Sequence, residues 1–439
     1  MSTTVPNTSS TDTAAVVRRV AFASFLGNFL EWFDYGTYLY FTAAISQTFF
    51  PSDDKMLADL QTYAVLAISF ALRPIGALVW GYFGDKWGRK WSLSVSILMM
   101  TGATCCIGLV PSHAAIGIAA PLILLLLRMI QGFSASGEYA GAATFLAEYA
   151  PVARRGTYVS LVPASTATGL LAGSAFASIL GYTMSAAHLA SWGWRIPFIL
   201  ALPLGFVALA MWRTLHDSPA YLKMQGDIAN KTQGATHPIR DLLTRYRKRA
   251  LIGFLTACLN AVGFYIVLTY LPTYLDQVTD LPSTTSHVIT SVTLICYIAM
   301  IFATGTLSDR MGRKKMLTAA CVGFIVLAIP AFAILSSGRV ATTVVVELVL
   351  CACLTINDGS LASFLTESFP THVRYTGFAF TFNMANAIFG GTAPFICTWL
   401  IRTTGSAMAP AYYLAGVACL ALIAILSSPD HSAADLAVD

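Results

Sequence analysis

Twelve apolar runs, most of them near twenty residues long, divide this sequence at about 20–43, 57–80, 91–111, 117–143, 157–182, 194–212, 250–275, 286–307, 316–336, 340–365, 375–400 and 408–427. A helix needs roughly 20 apolar residues to cross the ~30 Å hydrocarbon layer of a bilayer. Inside lipid the backbone must satisfy its own hydrogen bonds, so unbroken runs of this length read as helices. Charged residues make up only 11% of the chain, where a water-soluble protein carries about 25%. There is too little polar surface for a chain that meets water all round. The expectation is an all-α membrane protein of twelve transmembrane helices, which excludes an ordinary soluble enzyme, a disordered chain and a secreted domain.

The positions of the basic residues orient the helices. Of the 26 Lys and Arg, 20 fall in one alternating set of loops and termini, four in the other set, and Arg73 and Arg128 within spans. Basic loops stay in the cytoplasm, so both termini and the central loop are expected there. The expected organisation is a cytoplasmic tail at 1–19, a six-helix bundle at 20–212, a cytoplasmic loop at 213–249, a second bundle at 250–427 and a cytoplasmic tail at 428–439. This asymmetry accounts for the net charge of +5 without a nucleic-acid partner. The nine cysteines lie in apolar stretches with neither C-x-x-C pairs nor His at ligand spacing, and read as small buried apolar residues rather than metal ligands.

The two halves repeat each other. Gly81 to Lys90 and Gly305 to Lys314 both fit G-x-x-x-D-x-x-G-R-K, 224 residues apart. Phe145 to Arg155 and Phe364 to Arg374 both fit F-L-x-E-x-x-P-x-x-x-R, 219 apart. Two patterns at nearly one offset indicate two homologous six-helix halves. Gly88 and Gly312 permit tight turns, and the arginines supply forked donors. Asp85 and Glu148 are expected to cluster with Arg89 and Arg155, and Asp309 and Glu367 with Arg313 and Arg374. Such clusters would form a cytoplasmic gate, and a gate that must open suits solvent-accessible ion pairs.

The D-x-x-G-R-K loops resemble the signature of the major facilitator superfamily. Within it the chain looks like the metabolite:proton symporter family, on Gly27 to Tyr35, Leu72 to Gly76, Arg128 to Tyr139, Trp192 to Phe198 and Ala387 to Gly391. The runs Leu268 to Pro272, Leu327 to Phe332, Phe369 to Tyr375 and Pro410 to Leu414 are similar to that family's proline and glycine betaine carriers. The eleventh span, Asn383 to Pro394, looks more like its organic-acid carriers. The resemblance implies a secondary transporter in a bacterial inner membrane that imports a small carboxylate-bearing solute by proton symport. Proline or betaine is favoured over a citrate- or ketoglutarate-like acid, and a drug/proton antiporter is less favoured.

A charge inside a span is costly and needs an account. Glu31 and Asp34, three residues apart on one helical face, suit a proton-coupling pair, and Glu138 in the fourth span joins them. The bland alternative is that Arg73 and Arg128 simply neutralise the pair. Neither arginine can deprotonate, so each must find an acid of the protein or of a solute. Arg128 and Glu138 are ~15 Å apart along their helix, too far to meet directly. The expected substrate-binding set is Arg73, Arg128, Tyr35, Gln131, Asn260, Tyr270 and Asn383. Gly390, Gly391 and Pro394 are expected to break the eleventh helix, and Gly169, Gly173, Ala177 and Gly181 to pack the fifth tightly. Glu347 and Asp358 in the tenth span receive no role at this stage. No zincin or P-loop pattern occurs and the histidines sit in loops or tails, so neither an enzyme nor an ATP-driven pump is expected. The expected partners are the solute, protons and the bilayer, with no cofactor, no metal and no obligatory protein.

Overall fold

The computed structural model describes residues 10–52, 55–229, 237–279, 283–430 and 436, and among these every regular element is helical. Residues 1–9 and most of the expected C-terminal tail lie outside the described residues. Eleven helices are long and apolar enough to cross a membrane, namely Gln61–Trp87, Arg89–Leu109, Ala119–Tyr149, Val152–Thr183, Gly193–Thr214, Arg247–Leu275, Val288–Met311, Arg313–Leu335, Val340–Glu367, Arg374–Thr404 and Ala409–Ser427. Ser10–Tyr40, 31 residues long, is the first of the twelve, and Asn28, Glu31 and Asp34 lower its apolar content. It starts ten residues before the expected boundary, so Ser10 to Arg19 is helix rather than loose tail. The polar segment between the halves also carries two short helices, Pro219–Ala229 and Pro238–Thr244.

Three spans are interrupted where the backbone loses a donor. The second breaks between Lys55–Ala71 and Arg73–Trp87, because Pro74 has no N–H to continue the ladder. The seventh widens into a π-turn at Ile266–Tyr270 just ahead of Pro272. The eleventh does the same at Asn386–Gly390, then restarts at Ala393 with Pro394 in its first turn. The expected break at Gly390, Gly391 and Pro394 is therefore present, and its counterpart in the seventh span was not expected. The turns after the second and eighth spans pass through Gly88 (φ 108°) and Gly312 (φ 92°), conformations that a side chain would strain.

In the first half the first span packs on the fifth, and the third on the fourth and sixth. Asn28 ties the first pair, donating to Val162 O (3.0 Å), Ser165 Oγ (2.8 Å) and Thr166 Oγ1 (2.8 Å). Gly169 lies against the backbone of Phe29 and Phe33, and Gly173 against Gly36 and Thr37, so these members of the small-residue stripe pack as expected. Gly181 meets nothing. In the second half the ninth span packs on the tenth and twelfth. The halves meet where the second span lies on the eleventh and the fifth on the eighth, contacts that exchange under the sequence repeat. Six of the nine cysteines are buried; Cys106 and Cys419 lie on the outer surface, where a thiol facing lipid is equally apolar.

Candidate functional site

Halfway along the first, second and fourth spans the buried charges form two separate pairs. Arg73 Nη2 donates to Glu31 Oε1 at 2.8 Å, with its guanidinium 4.4 Å from the Phe70 ring centre. Arg128 Nη1 donates to Asp34 Oδ2 at 2.7 Å and lies 3.7 Å over the Tyr38 ring. Gln131 Nε2 donates to Asp34 Oδ1 (3.1 Å) and to Thr104 Oγ1 (2.5 Å), a third-span partner with no signal in the sequence. The helical spacing put Glu31 and Asp34 on one face, and the second and fourth helices each bring that face one arginine. Glu138 is 1% exposed, and among the described residues neither carboxylate oxygen has a hydrogen-bond partner. Its charged neighbours are Glu31 and Arg73.

A second cluster sits in the other half. Asp358 accepts from Asn260 Nδ2 and from the Tyr297 hydroxyl, both at 2.6 Å. Glu347 accepts from Thr293 Oγ1 at 3.1 Å. Tyr139 stacks on Phe382 across the halves (4.3 Å, 3°), and Asn383 Nδ2 donates to Ser136 O at 2.7 Å beside it. Tyr35 packs against Trp32 and Phe70, whose rings meet Phe264 and Tyr265 of the second half at 5.3 and 6.2 Å. Gly391 adjoins Phe70, and Gly390 adjoins Tyr265, so the two π-turned helices touch at that layer. Tyr270 is not part of this cluster. It accepts from Thr398 Oγ1 at 3.3 Å, at the end of the π-turn.

At the end of the bundle that carries the basic loops, the ion pairs cross between halves, and this corrects the expected grouping. Glu148 Oε1 bridges Arg89 (3.3 Å) and Arg374 (2.8 Å), while Glu367 Oε1 bridges Arg313 (3.4 Å) and Arg155 (2.8 Å). Arg155 and Arg374 begin the fifth and eleventh spans, the helices that each half lends to the other, so each finds its partner's glutamate. Asp85 keeps Arg89 (3.0 Å) and accepts from the backbone N–H of Tyr375 (3.1 Å) and Thr376 (2.9 Å). Asp309 likewise keeps Arg313 (2.9 Å) and accepts from the N–H of Gly156 (2.7 Å) and Thr157 (2.8 Å). Each aspartate thus satisfies the free donors at the N-terminus of a helix from the opposite half, where the helix dipole favours an anion. These groups are buried rather than solvent-accessible, since the helix ends close over them. Tyr375 adds a contact that the motifs did not signal. Its hydroxyl donates to Gly137 O at 2.7 Å, in a slot that side chains on Gly84 or Gly141 would block.

Outside the spans, Asp217 accepts from Lys90 N (3.1 Å), and burial raises its pKa. Ser218 donates to Glu148, and Lys90 Nζ donates to Arg213 O at 3.0 Å, which anchors the start of the central segment to the first half. No group of three or more metal-ligating side chains occurs among the described residues.

Two repeated bundles sealed by matched latches, with ionisable groups buried between them, define a membrane carrier, and the chain belongs to the Major Facilitator Superfamily, whose model matches residues 24–394. Among its relatives, "Proline/betaine transporter" of Escherichia coli (strain K12) is 36% identical over 417 residues, covering 93% of this chain and 82% of the relative. A protein of Staphylococcus aureus (strain COL) named "Putative proline/betaine transporter" is 37% identical over 413 residues, covering 94% and 88%. The structure of the proton:xylose symporter XylE bound to 6-bromo-6-deoxy-D-glucose superposes with a TM-score of 0.79 at 18% identity, covering 96% of this chain and 98% of that one, which shows the shared fold. The protein is a multi-pass secondary transporter, not an enzyme.

Proposed function

We propose that the protein imports a small zwitterion of the proline or betaine type, together with protons, by alternating access. The observation that carries this reading is the charge pattern at mid-depth. Both arginines are already matched by Glu31 and Asp34, and among the described residues Glu138 has no hydrogen-bond partner. A buried carboxyl without a hydrogen-bond donor, beside the Glu31–Arg73 pair, is placed to hold and release the coupled proton. A solute carboxylate can compete with Glu31 or Asp34 for an arginine, and the displaced acid then takes a proton. A solute of net charge −2 or −3 would leave unmatched charge in a low-dielectric site, so the organic-acid alternative is disfavoured. The names of the relatives support the zwitterion.

In this reading the basic loops and both termini face the cytoplasm of a bacterial inner membrane. The halves 20–212 and 250–427 rock about the central site while the segment 213–249 links them. The cytoplasmic gate in this reading comprises Asp85, Arg89, Glu148, Arg155, Asp309, Arg313, Glu367 and Arg374, and their ion pairs support it. The breaks at Gly390, Gly391 and Pro394 let the eleventh helix bend as the opposite side opens. The test is uptake of labelled betaine and proline into proteoliposomes under an imposed inward proton gradient. Accumulation that a protonophore collapses is expected. Accumulation insensitive to it would replace the proton by another ion, and competition by citrate at micromolar concentration, with none by millimolar betaine, would overturn the zwitterion.

A further inference from the structure

Asp358 lies in a second half whose other intramembrane acid is Glu347 and which, among the described residues, brings it no cation. Both its oxygens are occupied by neutral donors, Asn260 Nδ2 and the Tyr297 hydroxyl at 2.6 Å. The two short bonds fix both oxygens in place, and neither donor carries a charge. The carboxyl is 2% exposed, and in its ionised form it would be stabilised by dipoles alone. Such a charge is expensive unless a cation arrives to meet it.

Its surroundings fit one kind of cation. Tyr139 of the fourth span reaches the second half through its stack on Phe382 and lies within electrostatic range of Asp358, Tyr297 and Glu31. Its ring is held rigid by the parallel stack on Phe382. Aromatic faces beside a carboxylate suit an alkylated ammonium, which carries charge and apolar surface together. The offset of 219 residues that relates the two F-L-x-E loops also relates Tyr139 to Asp358, so the repeat brings an aromatic ring and an acid to equivalent places on the two halves. Asn357, fully buried beside Asp358, has no hydrogen-bond partner for either amide atom among the described residues, and its repeat counterpart Glu138 has none there either.

We propose that Asp358, walled by Tyr139 and Tyr297, receives the cationic nitrogen of the transported zwitterion, while an arginine of the first half receives its carboxylate. One solute would then bridge the two halves, which gives its binding a direct hold on their relative position. The proposal rests on the zwitterion reading above and adds which end of the solute each half takes.

The test compares glycine betaine with 3,3-dimethylbutanoate, which has the same shape and carboxylate but carbon in place of the charged nitrogen. Equilibrium binding to the purified full chain in nanodiscs is expected to favour betaine by about thirtyfold or more. In Asp358→Asn that preference should shrink to about threefold or less, through loss of betaine affinity with the isostere unchanged or tighter. A preserved ratio in Asp358→Asn, or an equal loss for both ligands, would overturn the proposal while leaving the zwitterion reading in place. If neither betaine nor proline binds the wild-type chain, the zwitterion reading itself falls and this proposal with it. Should Asp358→Asn fail to elute as a folded species, Tyr139→Leu carries the test. It should weaken betaine about tenfold and spare the isostere, and an unchanged betaine affinity there would overturn the assignment.

Discussion

Asp34 and Glu138 are both buried carboxylates, yet they should respond oppositely to neutralisation. Asp34 holds Arg128 at 2.7 Å, so Asp34→Asn strands a buried guanidinium and is expected to destabilise by about 3–5 kcal/mol. Among the described residues Glu138 has no hydrogen-bond partner to strand, and Glu138→Gln should change stability by under about 1 kcal/mol. Thermal unfolding in detergent measures both. If Glu138 carries the proton, Glu138→Gln should also abolish accumulation against a gradient while leaving solute counterflow within about threefold of wild type. Continued accumulation would pass that role to Glu31 or Asp34. Sequence spacing put Glu31 and Asp34 on one face, but no local pattern distinguishes the acid that is neutralised from the one that is left alone.

Helix breaks and close helix contacts belong to the next scale. Gly390 lies so near Tyr265 that a Cβ would stand 2.8 Å from the ring, whereas a Cβ on Gly181 meets nothing within 4 Å. Gly390→Ala is therefore expected to destabilise by about 1–3 kcal/mol and to slow transport, through pressure on the contact between the seventh and eleventh spans. Gly181→Ala should be neutral or stabilise by up to about 1 kcal/mol. Paired thermal melts and initial uptake rates check both. Between the tenth and eleventh spans, His372 lies 4.0 Å from Asp241, and burial holds its pKa below the usual 6.5. The fold thus favours the neutral ring. That stability is complete above pH ~6.5 and declines as the pH falls toward the depressed value, where protonation adds a cation near Arg245 and Arg374. Wild type should lose more melting temperature between pH 7.5 and 5.5 than His372→Gln.

Across the whole molecule, the latch ties the halves twice through equivalent contacts. Glu148 and Glu367 each join an arginine of their own half to one of the other. Either Glu→Gln change leaves two buried guanidiniums facing a neutral amide, so each single variant should favour the state in which this end is open. Spin labels across the basic-loop end should report longer distances in Glu148→Gln and Glu367→Gln than in wild type. Equal distances would mean that the Asp85 and Asp309 caps and the Tyr375 wedge hold the closed state by themselves.

The twelve helices, the two halves and the eleventh-span break were legible in the chain, because each depends on local quantities. Those quantities are the length of an apolar run, the recurrence of a motif at one offset and the missing N–H of a proline. The candidate charges were legible too, since an ionised group in a span stands out against its neighbours. What only the tertiary structure decided was which group meets which. Arg155 and Arg374 were expected beside acids of their own half, yet each reaches across, because the fifth and eleventh helices pack against the other bundle. Tyr270, expected in the binding set, pairs with Thr398 of the eleventh span, while Asn260 and Tyr297 converge on Asp358 from two different helices. A helix fixes the relation of its own residues through its 3.6-residue turn. Its rotation and its neighbours depend on small residues such as Gly84, Gly141 and Gly169, scattered along the sequence, that let particular pairs of helices come close.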